Sequence, residues 1–180
     1  MNVQILLDEF CGGSSSQKVI DIEMVDGENN DLELLVALFD TTTINLSRNS
    51  ISDIKPLASL TKFTGLDLMG NQISDIEPLA TLTSLNWLNL RNNQIDDIKP
   101  LASLISLDWV NLNGNQISNI KPLASLINLT KLYLVNNRIS DIKPLASLAN
   151  LAKLHLHSNL ISDGDIAWLC DRLPNCEITF

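Results

Sequence analysis

The stretch that decides the fold is LTKLYLVNNRISDIKPLASLAN, residues 129–150, because its pattern recurs every 22 residues along the chain. Five such units occupy residues 41–62, 63–84, 85–106, 107–128 and 129–150, and a sixth begins at residue 151. Each of the six carries an asparagine at the same place: Asn49, Asn71, Asn93, Asn115, Asn137 and Asn159. A proline recurs in the complete units, at Pro56, Pro78, Pro100, Pro122 and Pro144. Self-similarity at a fixed period of this size predicts a solenoid of stacked repeats.

Each unit has two parts with different periodicities. The first part alternates apolar and polar residues, as at Leu132 and Leu134, and a period of two indicates a short strand with one face inward. Ile139, Ile142, Leu145 and Leu148 then follow at three-residue spacing, which predicts a turn of 3₁₀ or α-helix. One unit cannot bury its own leucines. Stacked units form a continuous core, in which each buried Leu or Ile contributes about 1.5–3 kcal/mol.

The recurrent asparagine and proline are interpreted as structural residues. The asparagine follows the strand among apolar neighbours, where a buried amide must be hydrogen-bonded. Its side chain has donors and acceptors, so we expect it to tie turn backbone in its own unit and the next. The six asparagines therefore predict a structural ladder and not a ligand site. The proline fixes φ and keeps the preceding Lys or Glu extended, which opens the convex segment.

On these motifs the units resemble leucine-rich repeats. The pattern N-x-I-S-D-I-x-P-L-A-S-L resembles the 22-residue internalin-type subclass of bacteria, and is similar to the repeats of phosphatase-regulatory subunits. The resemblance covers roughly residues 41–162. It implies an α/β leucine-rich-repeat solenoid with a parallel concave sheet and a convex side of 3₁₀ or short helical turns. We expect no secretion or anchoring signal in this chain, because MNVQILLDEF lacks a basic start.

Both ends of the array predict helix-bearing caps, since terminal repeats would otherwise expose core and sheet edge. We divide the chain into an N-terminal cap (1–40) of degenerate helix and strand repeats, leucine-rich repeats (41–162) and a C-terminal cap (163–180). In the first cap we expect a helix over 3–11, a strand through Ile20, Ile22 and Met24, and a helix over 32–39. In the last, Asp163 is the predicted N-cap of a helix that ends before Pro174, and Cys176, Ile178 and Phe180 alternate as a strand.

Composition limits the class of partner. The net charge is −9, and residues 1–40 hold nine acids and one base, so we expect no nucleic acid partner. No apolar run approaches the roughly 18 residues of a membrane span. Three cysteines, Cys11, Cys170 and Cys176, are too few for a disulfide scaffold, which predicts a cytoplasmic location. Cys170 and Cys176 could be bonded, share a metal or pack as reduced thiols, and we favour the last.

The positions between the strand leucines predict three columns of side chains on the concave face. The first column is Thr43, Gly65, Trp87, Trp109, Lys131 and Lys153. The second is Asn45, Asp67, Asn89, Asn111, Tyr133 and His155. The third is Ser47, Met69, Arg91, Asn113, Val135 and His157. These columns vary, whereas the convex positions repeat as Lys55, Glu77, Lys99, Lys121 and Lys143.

An aromatic patch stands out in the columns. Trp87 and Trp109 lie on neighbouring strands, about 4.8 Å apart at their bases, and Tyr133 lies one strand further on. Trp, Tyr and Arg are the residues that carry most interface energy, so we predict a contact surface flanked by Arg91, Lys131 and Lys153. The competing interpretation is that the two indoles merely stack on each other and cover the sheet.

No catalytic constellation is found in the sequence. It has no G-x-S-x-G, phosphate loop, H-E-x-x-H or Cys–His arrangement, and Asp67 is the lone carboxylate in the columns. His155 and His157 share a strand, but no further ligand completes a metal site, so we interpret them as exposed polar residues. We expect neither metal nor cofactor.

The sequence therefore predicts a non-enzymatic protein-interaction module. It binds a protein or peptide through Trp87, Trp109 and Tyr133, with Asn89, Asn111, Arg91, Asn113, Lys131, Lys153, His155, Asp67 and Met69 around them. A carbohydrate or small-ligand binder is one alternative, because Trp faces and Asn side chains also suit sugars. A self-associating structural element is the other, although we favour a monomer.

Overall fold

The computed structural model describes residues 3–9, 18–24 and 42–180. Its strands are β1 (Val3–Glu9), β2 (Lys18–Met24), β3 (Thr43–Asn45), β4 (Gly65–Asp67), β5 (Trp87–Asn89), β6 (Trp109–Asn111), β7 (Lys131–Tyr133), β8 (Lys153–His155) and β9 (Glu177–Thr179). Its 3₁₀ helices span Lys55–Ser59, Glu77–Thr81, Lys99–Ser103, Lys121–Ser125 and Lys143–Ser147. One α-helix, α1, spans Asp163–Arg172.

The strands form one sheet in chain order from β1 to β9. Strand β1 pairs antiparallel with β2, and every later pair, from β2–β3 to β8–β9, is parallel. Within the repeats the register joins equivalent positions, so that Gly65 pairs with Trp87 and Trp87 pairs with Trp109. This is the parallel sheet of the predicted leucine-rich-repeat solenoid. Its register is also the reason why equivalent outward side chains line up in columns.

The core runs the length of the array and takes the same positions from each unit. In residues 85–106 the strand supplies Leu88, the segment that follows it supplies Leu90, Ile95 and Ile98, and the 3₁₀ helix supplies Leu101. All five side chains are 0% exposed. The equivalent residues of the neighbouring units are also buried in the same cluster. The three-residue spacing thus corresponds to 3₁₀ helix in this protein, and a single unit contributes on the order of 10 kcal/mol of apolar burial before entropy is counted.

Local hydrogen bonds explain why the convex segment turns where it does. A proline stands at the first turn of every 3₁₀ helix, where a missing N–H costs nothing. Just before it, the Asp97 carboxylate accepts a hydrogen bond from the Lys99 backbone N–H at 2.9 Å. At the end of the same helix, Ser103 Oγ donates to the carbonyl of Ala80 in the preceding unit. Side-chain hydrogen bonds therefore connect the convex side of one repeat to that of the preceding repeat.

The recurrent asparagines join consecutive repeats. Asn115 is 8% exposed, and its Nδ2 donates to the carbonyls of Leu112 in its own unit and Leu90 in the preceding one. Its Oδ1 accepts from the backbone N–H of Ile95, also in the preceding unit. We expected the asparagine side chain to bond to its own unit and the next one along the chain. The second bond goes instead to the preceding unit, because the backbone groups of that unit are the ones within reach of the side chain.

The N-terminal cap differs from the sequence-based prediction. The helix expected over 3–11 is wrong, because Val3–Glu9 is a strand that pairs with β2 along its whole length. An apolar run this short fits either structure, and the available partner strand decides between them. The strand expected through Ile20, Ile22 and Met24 is confirmed by β2. The helix expected over 32–39 lies outside the described residues.

The C-terminal cap contains the predicted helix and last strand, with one correction. The N-cap of α1 is Ser162 and not Asp163, because Ser162 Oγ accepts a hydrogen bond from the Asp165 backbone N–H at 3.2 Å. The helix packs Leu169 and Leu173 against the end of the core. Cys170 is exposed and Cys176 is half-buried, and both are free thiols.

Candidate functional site

The outward columns of β3 to β8 form a surface of mostly half-buried side chains, which alternate along each strand with buried core residues. Gly65 and Asn89 are buried within it, and Arg91, Lys131 and His157 are exposed. Because the strands are only three residues long, each contributes one residue to the first column and one to the second. The third column comes from the second residue after each strand.

Five of these side chains form a continuous series of ring contacts, here called the aromatic ladder: Trp87, Trp109, Tyr133, His155 and His157. The two indoles stack with their centroids 5.1 Å apart and their planes at 21°. Tyr133 lies 5.5 Å from Trp109, and His155 lies 4.9 Å from Tyr133. His157 lies 6.3 Å from His155. The ladder therefore crosses four strands, β5 to β8, and passes from the first column through the second to the third.

The polar residues of the second column are partly committed to the fold. The side-chain oxygens of Asn45, Asp67, Asn89 and Asn111 each accept a hydrogen bond from the backbone N–H two residues further on. These bonds close the turn at the end of each strand. Asn89, predicted as a contact residue, is only 8% exposed, and its amide donates to Asp67. On β7 and β8, Tyr133 and His155 replace this turn-forming residue.

The charges at the ladder are mostly basic. Lys153 pairs with Glu177 of β9 at 3.6 Å, an ion pair in which both side chains remain partly exposed. The other ion pair among the described residues, Lys99–Asp97, lies on the convex side. Lys131 pairs in register with Trp109 on one side and with Lys153 on the other. Glu177 is a neighbour that the repeat pattern did not predict, because β9 belongs to the irregular cap.

His155 differs from the exposed residue that the sequence suggested. Its ring is half-buried against Tyr133, and its Nε2 is buried without a hydrogen-bond partner among the described residues. Burial lowers the pKa of His155, and the positive charges of Lys153 and His157 lower it further, while Glu177 acts in the opposite direction. A lowered pKa favours the neutral imidazole, which suits a ring stacked against an aromatic neighbour.

The part of the chain that the structure describes contains no group of three or more His, Cys, Asp or Glu side chains placed to hold a metal ion. Among the same residues, no helix is long and apolar enough to cross a membrane. The face of the ladder is thus a surface of rings, amides and amines. Such groups stack, donate hydrogen bonds and attract anions.

Comparison with known proteins agrees with the repeat architecture. The family model described as leucine-rich repeats (2 copies) matches residues 42–81 and 127–169. An internalin (inlF) of Listeria monocytogenes str. 4b F2365 is 37% identical with a TM-score of 0.76, over 83% of this chain and 43% of that one. A leucine-rich repeat protein of Leptospira interrogans is 30% identical with a TM-score of 0.75, over 81% of this chain and 38% of that one. No curated protein matches.

A second internalin gives the fuller match. Internalin C2 (inlC2) of Listeria monocytogenes str. 4b F2365 is 35% identical, with a TM-score of 0.69. The match covers 88% of this chain and 79% of that one. The present chain thus spans less than half of the first of these relatives and about four fifths of internalin C2. With its 22-residue units, parallel sheet and 3₁₀ helices, this chain belongs to the internalin-type leucine-rich repeat proteins.

Proposed function

We propose that the protein is a non-catalytic interaction module of a bacterial cell, which binds a protein or peptide on its concave face through the aromatic ladder. Leucine-rich repeat proteins generally act as interaction scaffolds, and a protein partner is the coarse expectation for the family. The finer assignment, to this face and these residues, is ours. Asn111, Asn113 and Met69 lie in the neighbouring column positions and complete the proposed surface.

The ladder is the observation that carries this proposal. Trp87 and Trp109 each remain half-exposed although they stack on one another, so one side of the pair still faces solvent. Rigid aromatic side chains lose little conformational entropy on binding, and Trp and Tyr are enriched among the residues that dominate interface energy. A partner laid across β5–β8 would meet Trp87, Trp109 and Tyr133 in one line.

The same surface argues against catalysis. The carboxylate of Asp67 already accepts hydrogen bonds from the Met69 backbone N–H and the Asn89 amide, which suits a structural group better than a general base. An open sheet face does not exclude water from a reacting group. We therefore propose that neither enzyme chemistry nor a cofactor is involved.

Location, assembly and domain limits are further parts of the proposal. A cytoplasmic location is supported by the low cysteine content and by the exposed free thiol of Cys170. A monomer is favoured, with 1–40 and 163–180 acting as caps for the repeats of 41–162. Light scattering over a concentration series tests the assembly, and a dimer at low concentration would contradict it.

The test of the proposed face compares two pairs of side chains. The double variant Trp87→Ala and Trp109→Ala removes two of the five side chains of the ladder. The matched control is Ile105→Ala with Ile127→Ala, since both isoleucines are 56% exposed and neither belongs to the columns. We expect the tryptophan variant, but not the control, to lose capture of a protein partner from bacterial lysate while remaining folded by circular dichroism.

A site-specific crosslink makes the same test independent of affinity. A photoreactive phenylalanine analogue is placed at Val135, in the third column, or at Ile105 as the off-face position. We expect a crosslinked protein from the first position alone. Equal crosslinking from both positions, or unchanged capture by the tryptophan variant, would contradict docking on the concave face.

A carbohydrate remains the alternative occupant, because indole faces and asparagine side chains also suit sugars. The mutual stacking of Trp87 and Trp109 makes it the weaker candidate, since each ring already uses one face on the other. A thermal shift with a panel of sugars separates the two. Stabilisation by a sugar that the tryptophan variant abolishes would favour the alternative over a protein partner.

A further inference from the structure

The concave face carries charge of the opposite sign to the chain as a whole. The columns of β3 to β8 contain three basic side chains, Arg91, Lys131 and Lys153, and one acidic side chain, Asp67. The chain has a formal net charge of −9. A basic area on an acidic protein concentrates its attraction for anions in one place.

Two of the three basic residues lie on strands of the ladder, Lys131 on β7 and Lys153 on β8. Lys131 is exposed, it pairs in register with Trp109, and Tyr133 follows it on the same strand face. Among the described residues, Lys131 and Arg91 belong to neither of the two ion pairs. Lys153 is held by Glu177, so that Lys131 and Arg91 are the cations available to an incoming group.

The single acid of the columns is placed away from this area. Asp67 stands on β4, three strands from Lys131, and its two oxygens accept hydrogen bonds from the Met69 backbone N–H and the Asn89 amide. Its negative charge therefore lies on β4, in the N-terminal half of the solenoid. The C-terminal half, β7 and β8, presents rings and cations together.

We infer that the partner presents an acidic, extended protein segment, which lies across β5–β8 with its carboxylates at Lys131 and Arg91 and its apolar side chains on the aromatic ladder. The inference rests on the proposed function and specifies the chemistry of its partner. Cations beside aromatic anchors give both charge complementarity and buried apolar area, the combination that fixes specificity at an interface.

A protein segment fits better than nucleic acid. Nucleic acid affinity depends on many phosphate contacts, and three cations on a chain of net charge −9 cannot neutralise a polyanion backbone. An acidic peptide needs only two or three carboxylates in register.

A histidine in the ladder, His155, makes the affinity of this face for an acidic segment depend on pH. His155 faces Lys153 and His157 on its own strand, Lys131 and Tyr133 from β7, and Glu177 and Thr179 from β9. Protonation of His155 adds positive charge near Lys131, and its lowered pKa places this protonation at a lower pH than in an ordinary histidine. Affinity for an acidic segment should therefore rise in mild acid, while the carboxylates of the partner stay ionised.

The experiment uses defined peptides and the full chain. A fluorescein-labelled peptide of alternating glutamate and phenylalanine is compared with the same peptide in which glutamine replaces every glutamate. Binding is followed by fluorescence anisotropy, and the site by nuclear magnetic resonance of the indole N–H groups of Trp87 and Trp109. We expect the acidic peptide to bind at least about tenfold more tightly, with the difference reduced by salt.

Charge reversal locates the site. The variant Arg91→Glu with Lys131→Glu should lose about tenfold in affinity for the acidic peptide. The control Lys121→Glu with Lys143→Glu makes the same change in net charge on the convex side and should stay within about twofold. As the pH falls from about 7.5 to about 5, the affinity of the unmodified chain should rise, mostly below the ordinary histidine pKa of about 6.5, and His155→Gln should remove the rise.

Two results would overturn the inference: equal binding of the glutamine peptide, or an equal loss of affinity in the convex control. Tighter binding of an oligothymidylate than of the acidic peptide would overturn it in favour of nucleic acid. If the glutamine peptide binds equally well and the double tryptophan variant abolishes that binding, concave docking stands and only the acidic partner fails. If the acidic peptide binds without involving Trp87 or Trp109, both proposals fail.

Discussion

The indole of Trp87 lies against the indole of Trp109 because the two residues pair directly across β5 and β6, 22 positions apart in the chain. The spacing of parallel strands is about 4.8 Å, close to the separation at which aromatic rings attract one another. Stacking and exposure, which looked like competing interpretations of the sequence, therefore coexist. The pair stabilises the sheet and still offers a surface.

This stack should be measurable as a coupling energy. Trp87→Ala, Trp109→Ala and the double variant form a double-mutant cycle, read from urea unfolding. We expect a favourable coupling of about 0.5–1.5 kcal/mol, the usual value for aromatic pairs beyond their burial. Trp87→Ala combined with Trp168→Ala is the control, because Trp168 lies on α1 and contacts Arg172 instead. Additive effects of Trp87→Ala and Trp109→Ala would show that the rings do not support one another.

The asparagine ladder should matter more for stability than the other asparagines. Asn115→Ala removes one of the two asparagine amide donors from each of the buried carbonyls of Leu90 and Leu112. It also leaves the backbone N–H of Ile95 without its partner. One unpaired buried group costs about 1–3 kcal/mol, so we expect a loss of about 1–3 kcal/mol in the free energy of unfolding. Asn119→Ala is the control, since Asn119 is exposed and should cost under about 1 kcal/mol. Equal losses in the two variants would contradict the structural role.

Two glycines test the backbone of the turn after the strand. Gly70 and Gly114 occupy the same place in their units and have nearly the same positive φ, 69° and 68°. An added Cβ at Gly114 would clash with Asn92 Oδ1, whereas at Gly70 its nearest neighbour would be Arg48 Cγ at 3.4 Å. Gly70→Ala should cost about 1–2 kcal/mol for the left-handed backbone, and Gly114→Ala roughly 1 kcal/mol more. Thermal unfolding of both variants tests whether Asn92 clashes with the new Cβ at position 114. Equal losses of stability in the two variants would contradict this clash.

His155 should make stability depend on pH. Its pKa in the folded chain is lowered by burial and by Lys153 and His157, so the unfolded chain binds more protons in mild acid. The resulting stability is fully present above the unfolded pKa, about 6.5, and is lost as pH falls through the lower folded value. Urea unfolding at a series of pH values should show this decline, and His155→Gln should flatten it. A decline that persists unchanged in the variant would assign it to other groups.

The two cap thiols should differ in reactivity. Burial raises the pKa of Cys176 to about 11, with further contributions from Glu177 and Cys170. At pH 8 only about 0.1% of such a thiol is the reactive thiolate. Cys170 is exposed, so iodoacetamide should modify Cys170 well before Cys176 when the peptides are mapped by mass spectrometry. Faster labelling of Cys176 would show that the cap opens around it.

Much of the candidate site follows from the repeat alone. Once period two fixes which residues of a strand face outward, the 22-residue spacing places Trp87 beside Trp109 and Lys131 beside Lys153 with no further information. The extension of the ring contacts from Tyr133 to His155 was missed, because a histidine in a polar column looks like an ordinary exposed residue. Its contact depends on side-chain conformation, which the pattern does not encode.

The errors lie where the pattern ends. Residues Val3–Glu9 form a strand because β2 offers them a partner along their whole length, and pairing outweighs local helical preference. Ser162 and not Asp163 caps α1, because the helix starts one residue earlier than the acidic cluster suggests. Glu177 reaches Lys153 from a cap strand that has no counterpart in the repeats. Each non-repeating segment occurs once, so no second copy of its sequence supports a prediction of its structure. The repeats show the same pattern several times, and each copy supports the prediction for the others.

The bonds between repeats always join positions a constant distance apart. Asn93 and Asn115 each donate to a carbonyl 25 residues back and accept from an N–H 20 residues back. Excising or duplicating one whole unit therefore restores every one of these pairings with an equivalent residue. Gene rearrangements in steps of one unit can lengthen or shorten the binding surface of such a protein without redesigning its interior, so the size of the surface can follow the size of the partner.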